Sequence, residues 1–266
     1  TRALQASLAA IERRSGGRLG VHILHTGSGR HWGWRSDERF PMCSSFKLLL
    51  VAMALSAQAQ GQLGLDERLR YGAGELVANS PITEAHVAQG GMTVAELCAA
   101  TLATSDNTAA NVLLARLGGP AAFTQHLRGL GDEVTRLDRY EPQLNGPGTQ
   151  PDWDTSSPAA MARSLHRLVL GDGLPAAQQQ QLIGWLQASV TGGRRLQAGL
   201  PSGWRIAEKT GTSNGSTNDM GVVWPASGAP LVVVGFIRNS RAPFAVREAC
   251  LADVGRLLAT LPVQAS

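Results

Sequence analysis

The chain has 266 residues, of which 43% are apolar and 17% charged, and a formal net charge of +4. These values are typical of a globular protein with one large domain or two closely packed ones. The arginines are scattered and aromatic residues are few, which argues against a nucleic-acid-binding surface. The longest apolar run, Leu48 to Leu55, is too short to cross a bilayer, so we expect no membrane partner.

The first half of the chain changes from a helix to strands and then to a long helical stretch. Residues 2–15 repeat apolar positions at helical spacing and end at Gly16-Gly17, which predicts an amphipathic helix. Alternating apolar residues on either side of Gly27-Ser28-Gly29 predict a β-hairpin. From residue 44 the pattern is helical for about 150 residues.

Three β-rich segments and a last helix follow; they cover residues 203–210, 217–224, 231–238 and about 243–261. The simplest assembly is an α/β fold of the α+β type. In it, a five-stranded antiparallel sheet is covered by the terminal helices, and an all-helical domain is inserted between the second and third strands. We therefore predict a sheet domain from residues 1–42 plus 193–266 and a helical domain from residues 43–192. The active site is expected in the cleft between them.

The stretch from Arg136 to Asp154 interrupts the helical pattern. It has no clear periodicity and is too long for an ordinary connection between helices. Long loops of this kind in compact domains are usually functional. We therefore treat it as a candidate part of the site.

Only two of the 24 basic side chains are lysines, Lys47 and Lys209. Since the chain uses arginine at every other basic position, a lysine marks a place where arginine cannot substitute. A buried lysine can lose its proton and act as a base, whereas arginine keeps its proton in proteins. This contrast predicts that both lysines are in the active site.

Ser44 and Lys47 begin the helical stretch in the sequence Ser44-Ser45-Phe46-Lys47. They lie one helical turn apart on the same face, so the lysine amine can reach the serine hydroxyl and activate it as a nucleophile. Taken alone, this spacing is equally compatible with an N-capping serine and a solvated lysine.

Two further motifs carry candidate chemistry. Ser105-Asp106-Asn107 lies between helical segments, where helix capping is the alternative to proton transfer and substrate binding. Lys209-Thr210-Gly211-Thr212 ends a predicted strand. Its cation and hydroxyls could hold a carboxylate, and its glycine allows close approach, although an ordinary strand end has the same composition.

In this chain order, S-x-x-K, S-D-N and K-T-G are the signature of class A β-lactamases and penicillin-binding proteins. The chain resembles the class A serine β-lactamases over essentially its whole length. The resemblance extends to the segment from Arg139 to Asn145, which is similar to part of the family's Ω-loop (about residues 136–154). Asp154 falls where the partner of Arg139 that closes this loop is expected.

The resemblance implies hydrolysis of the β-lactam amide bond of penicillins and cephalosporins through a serine acyl-enzyme, and hence antibiotic resistance. It implies catalytic roles for Ser44, Lys47, Ser105 and Glu141, with Glu141 as the base that activates the deacylating water. The backbone N–H groups of Ser44 and Thr212 would form the oxyanion hole. The implied substrate-binding residues are Asn107, Asn145, Lys209, Thr210, Gly211, Thr212 and Arg195. Either Lys47 or Glu141 could be the acylation base.

The resemblance also implies a monomer without metal or organic cofactor, whose partners are β-lactam substrates and inhibitors. A periplasmic or secreted location, with the signal peptide already removed, is the corresponding expectation. Two alternatives share the serine and lysine motifs: a penicillin sensor that stays acylated, and a D-alanyl-D-alanine peptidase. Glu141 and Asn145 favour the hydrolase, because a sensor lacks a working deacylation base.

Overall fold

The computed structural model describes residues 2–262. Its α-helices are α1 (Arg2–Ser15), α2 (Phe46–Ala59), α3 (Pro81–His86), α4 (Val94–Ala103), α5 (Asn107–Arg116), α6 (Gly119–Gly129), α7 (Pro158–Val169), α8 (Ala176–Gln187), α9 (Leu196–Gly199) and α10 (Phe244–Leu257). Its β-strands are β1 (Arg18–His25), β2 (Arg30–Trp34), β3 (Phe40–Pro41), β4 (Arg68–Arg70), β5 (Gly91–Thr93), β6 (Thr155–Ser156), β7 (Arg205–Ser213), β8 (Ser216–Trp224) and β9 (Leu231–Arg238). Within the described range, none of the helices has both the length and the apolar character needed to traverse a bilayer.

Five strands form one sheet in the order β2-β1-β9-β8-β7, and every neighbouring pair is antiparallel. The predicted mixed fold with a five-stranded antiparallel sheet is thus confirmed. The first and the last of the five predicted strands, β1 and β9, pair with each other, and β9 lies at the centre of the sheet. Strand β7, which carries Lys209, lies at one edge of the sheet.

Side chains of the sheet divide between two apolar cores, one on each face. Along β9, Val233 belongs to the same core as Leu251 of α10, on the face covered by the terminal helices. The next residue, Val234, belongs to the larger core on the other face, with Leu165 of α7. This alternation follows from the two-residue period of a strand. It explains why β9 reads as a continuous apolar run.

The structure adds detail that periodicity did not predict. The segment from residue 43 to 192 is mainly helical but not all-helical: β4 pairs with β5, and β6 pairs with β3. Strands of two or three residues are too short to show a period. The strand predicted for 203–210 spans Arg205–Ser213, so Lys209 to Thr212 lies inside β7 rather than at its end. The division into two domains at the stated boundaries stays a prediction.

Candidate active site

Ser44 lies in the 3₁₀ turn Cys43–Ser45, which leads directly into α2. Apart from Lys47, the first turns of α2 are apolar on all sides and buried, as expected for a helix that passes through the core. Lys47 is in the first turn and is completely buried. Its Nζ donates to Ser44 Oγ at 3.0 Å, the contact that their one-turn spacing predicted.

Oxygen atoms from three other residues surround the Lys47 amine. Nζ donates to Ser105 O at 2.8 Å and to Asn107 Oδ1 at 2.5 Å, and it lies 3.3 Å from Glu141 Oε1. Burial lowers the pKa of Lys47, and the Glu141 carboxylate opposes that shift. Since the lowering dominates, Lys47 gives up its proton more readily than an exposed lysine.

The Ser105 hydroxyl lies between the two lysines, with Oγ 3.2 Å from Lys47 Nζ and 3.1 Å from Lys209 Nζ. Burial, and then the positive charges of Lys47 and Arg195, lower the pKa of Lys209 well below its ordinary value. When both amines donate to this oxygen, the Ser105 proton is left to be donated to a third group. That arrangement suits a hydroxyl that relays protons.

Asp106, the middle residue of Ser105-Asp106-Asn107, has a structural role, helix capping, which was the alternative interpretation of this motif. Asp106 caps α5 by accepting from Ala109 N at 2.9 Å, and its other oxygen accepts from the N–H groups of Ile82 and Thr83. This cap orients the two residues beside it. Ser105 and Asn107 line the cleft, as predicted.

Glu141 reaches the site from the long loop, and its side chain is fully buried. Oε1 accepts from Ser44 Oγ at 3.2 Å, and Oε2 accepts from Asn145 Nδ2 at 2.8 Å. Asn111 of α5 holds the Glu141 backbone: its Oδ1 accepts from Glu141 N at 2.9 Å, and its Nδ2 donates to Glu141 O at 2.8 Å. Sequence reasoning missed Asn111, because an asparagine within a helix belongs to no motif.

The expected closure of this loop is present. Arg139 Nε lies 2.7 Å from Asp154 Oδ2, and the Asp154 side chain is only 1% exposed. Asp154 Oδ1 also accepts from the backbone N–H groups of Asp138 and Arg139. These bonds join the two ends of the loop that carries Glu141.

Gly211 brings strand β7 against the turn that carries Ser44. A Cβ atom at this position would lie 2.7 Å from Met42 O and 3.1 Å from Ser44 N, so a larger residue would push the strand away. Glycine is therefore required by close approach. Asn218 of β8 reinforces the contact by donating to Pro41 O at 2.8 Å and to Met42 O at 3.0 Å.

Arg195 lies behind this part of β7 and is almost fully buried. Its Nη2 donates to Thr212 Oγ1 at 2.7 Å, its Nη1 donates to Gly211 O at 3.1 Å, and its Nε lies 3.4 Å from Glu248 Oε1. Its Nη1 also donates to Asn218 O of β8 at 2.7 Å, so Arg195 ties β7 to β8 and holds the Thr212 hydroxyl that lines the cleft. Glu248 was not predicted, since it lies 53 residues from Arg195 in the chain.

A cleft of about 420 Å³ opens in front of these groups. It is lined by Ser44, Asn79, Thr104, Ser105, Asn107, Asn145, Thr191, Arg195, Thr210, Gly211, Thr212 and Phe244. The remaining predicted residues, Lys47, Glu141 and Lys209, are buried directly behind it. The structure thus brings every predicted site residue together. It adds Thr191, whose Oγ1 lies 2.7 Å from Thr210 Oγ1, and Phe244, neither of which was predicted.

A serine within hydrogen-bonding distance of a buried lysine and a buried carboxylate, in a polar cleft beside a sheet edge, defines a serine hydrolase. A family model described as the β-lactamase enzyme family matches residues 3–260. The β-lactamase OXY-2 of Klebsiella oxytoca is 44% identical over 259 residues, 97% of this chain and 89% of that protein. The carbapenem-hydrolysing β-lactamase KPC of the same species is 46% identical over 252 residues, 94% and 85% of the two chains.

Comparison of the fold with solved structures indicates the same family. A solved structure of an ancestral class A β-lactamase (GNCA) superposes with a TM-score of 0.94 at 53% identity and covers 97% of this chain and 99% of its own. A β-lactamase of Xanthomonas campestris superposes with the same TM-score at 43% identity, covering 97% of each chain. The protein therefore belongs to the class A β-lactamases.

Proposed function

We propose that this enzyme hydrolyses the amide bond of penicillins and cephalosporins through an acyl-enzyme on Ser44, and so confers β-lactam resistance. The observation that carries the proposal is a single buried network in which Ser44 Oγ contacts both Lys47 Nζ and Glu141 Oε1. A serine is a poor nucleophile until a base takes its proton, and here two bases lie within 3.2 Å of the hydroxyl.

In acylation, Ser44 Oγ attacks the β-lactam carbonyl and its proton passes to Lys47 or Glu141. The charge that forms on the carbonyl oxygen is stabilised by the backbone N–H groups of Ser44 and Thr212. The close approach at Gly211 supports this pairing, because it brings the strand against Ser44 N. Ser105 then donates its proton to the departing ring nitrogen and recovers one from the adjacent lysines.

In deacylation, Glu141 removes a proton from the water that attacks the acyl-enzyme carbonyl. Asn145 supports this role in two ways. Its Nδ2 orients the Glu141 carboxylate, and its buried Oδ1, which accepts from no residue in the described part of the chain, can accept from that water. The 136–154 segment thereby acts as the Ω-loop of the family.

The substrate carboxylate binds to the hydroxyls of Thr210 and Thr212 near the Lys209 ammonium. Arg195 adds positive charge and aims the Thr212 hydroxyl through its 2.7 Å bond. A bound carboxylate raises the pKa of Lys209, because opposite charge favours the protonated amine. Asn107 contacts the amide of the substrate side chain from the opposite wall.

The test is the comparison of Glu141→Ala with the wild type on a penicillin and on nitrocefin. The wild type turns over many equivalents rapidly. The variant loses roughly 10²- to 10⁴-fold in deacylation, the usual contribution of a general base, and accumulates a covalent adduct that intact-protein mass spectrometry detects. Glu133→Ala, which removes a glutamate whose side chain is 77% exposed, serves as control and keeps full turnover.

A single stoichiometric burst from the wild type would instead support the penicillin sensor or the D-alanyl-D-alanine peptidase.

We further propose that the enzyme acts as a monomer in the periplasm or after secretion. Within residues 2–262 the exposed large apolar side chains are Tyr140, Val190 and Phe244. Large exposed apolar patches mark protein interfaces, and isolated residues do not, which supports the monomer.

A further inference from the structure

Phe244 is an exception in the composition of the cleft. Every other side chain that lines the cleft in the described part of the chain carries a hydroxyl, an amide or a guanidinium group, apart from Gly211, which has no side chain. Phe244 is also one of the few large apolar residues that stay exposed, at 43%. Among the described residues, Phe244 is therefore the one large apolar side chain that lines the cleft.

Two arginines hold the Phe244 ring in place. The Cζ atom of Arg195 lies 5.6 Å from the ring centroid, and that of Arg247, one turn further along α10, lies 5.4 Å from it. Guanidinium groups at this distance are attracted to an aromatic face. These contacts favour the observed position of the ring, and its exposed part remains free to contact a ligand.

The position of the ring relative to the substrate follows from Arg195. The same guanidinium contacts the Phe244 ring and donates to Thr212 Oγ1 at 2.7 Å. The Arg195 guanidinium therefore lies between the Phe244 ring and the Thr212 hydroxyl of the proposed carboxylate site. Asn79, Thr104 and Asn107, which line the cleft on the helical side, offer only polar contacts.

We propose that Phe244 determines substrate specificity by binding an uncharged apolar or aromatic substituent next to the substrate carboxylate. The inference rests on the proposed function, because that function locates the carboxylate at Thr210 and Thr212. In a cephalosporin the substituent is the C3 group, which adjoins the C4 carboxylate. The charges of Arg195 and Arg247 act against a cationic group at the same place.

The experiment uses two cephalosporins with the same C7 side chain, one with a C3 methyl group and one with a C3 arylvinyl group. The arylvinyl group is joined by a carbon–carbon bond, so it cannot leave during turnover. Phe244→Ala is expected to raise KM for the arylvinyl compound about 5-fold relative to KM for the methyl compound, from loss of apolar contact area. Phe244→Leu gives a smaller ratio, and Phe244→Tyr keeps the wild-type preference.

Wild-type turnover of the methyl compound tests the proposed function separately from this inference. Val190→Ala is the control, because Val190 is 77% exposed and does not line the cleft. It is expected to leave the KM ratio unchanged. Equal rises in KM for both compounds in Phe244→Ala and Phe244→Leu would overturn the proposal, since Phe244 would then act only by holding Arg195. KM values that stay at the wild-type level for both compounds in both variants would overturn it as well.

Discussion

Replacing Asn111 with alanine tests whether the backbone clamp on Glu141 controls deacylation. Asn111 accepts from Glu141 N and donates to Glu141 O, at 2.9 and 2.8 Å, and within residues 2–262 its side chain makes no hydrogen bond to the proposed nucleophile or carboxylate sites. The substitution leaves the Glu141 side chain present. It removes the two hydrogen bonds that fix the position of the Glu141 backbone.

The magnitude follows from these two bonds. Each contributes about 0.5–1.5 kcal/mol net, so their loss disfavours the aligned arrangement of Glu141 by about 1–3 kcal/mol. At about 1.4 kcal/mol per factor of ten, the fraction of enzyme with an aligned base falls about 5- to 150-fold. In the proposed mechanism, deacylation slows by the same factor, because Glu141 activates the water only in the aligned arrangement.

Rapid-quench kinetics with a penicillin measures acylation and deacylation separately. Asn111→Ala is expected to show a burst of product followed by a slow steady state, with acyl-enzyme visible by mass spectrometry. Gln179→Ala is the matched control, since among the described residues this side-chain amide donates only to the backbone Gly171 O, at 2.7 Å, and neither residue lines the cleft. A wild-type deacylation rate in Asn111→Ala would refute the reasoning. An equal loss in acylation would identify Glu141 as the acylation base as well.

Arg139→Ala leaves the buried Asp154 carboxylate without its cation and is expected to lower the free energy of unfolding by about 3 kcal/mol. Arg167→Ala, whose partner is 85% exposed, should cost below about 1 kcal/mol, and similar losses by urea unfolding would contradict the argument. Burial, then the adjacent Glu208 carboxyl, raises the pKa of Asp219 well above that of an exposed aspartate. The folded protein therefore keeps a proton on Asp219 at pH values where the unfolded chain has released it. The stability that this proton contributes is complete below the pKa of Asp219 in the unfolded chain and is lost as pH rises through its pKa in the folded protein. Asp219→Asn should flatten this decline in urea unfolding across pH, and identical slopes would count against it.

Much of the fold could be predicted because its signals are local. The two-residue period of β1, the β-rich composition of β7, β8 and β9 and the helical patterns of α1 and α10 are visible in single segments, and together they favour a sheet covered by terminal helices. The short ladders β3–β6 and β4–β5 could not be predicted. Their pairing depends on where the surrounding helices pack, and a strand of two residues has no period.

The contacts of the site can be divided in the same way, into those that follow from local sequence and those that depend on tertiary packing. Ser44 and Lys47 are one turn apart on a helix, so their contact could be derived from spacing alone. The scarcity of lysine drew attention to Lys47 and Lys209, and the structure places both behind the cleft, buried and with pKa values lowered by burial. The Lys47 amine suits proton transfer. The Lys209 amine contacts Ser105 and lies beside Thr210, where a compact cation fits.

Contacts across the chain needed the tertiary structure. Glu141 is 97 residues from Ser44 in sequence, and Lys209 is 104 residues from Ser105, yet each pair lies within hydrogen-bonding distance. Asn111, Glu248 and Phe244 belong to no motif and acquire their positions only when α5 and α10 pack beside the cleft. Local sequence thus specified the elements and the chemistry of the reacting groups. Packing of distant elements decided which residues support those groups and brought Phe244 to the cleft, because such distances depend on the whole core and not on any one segment.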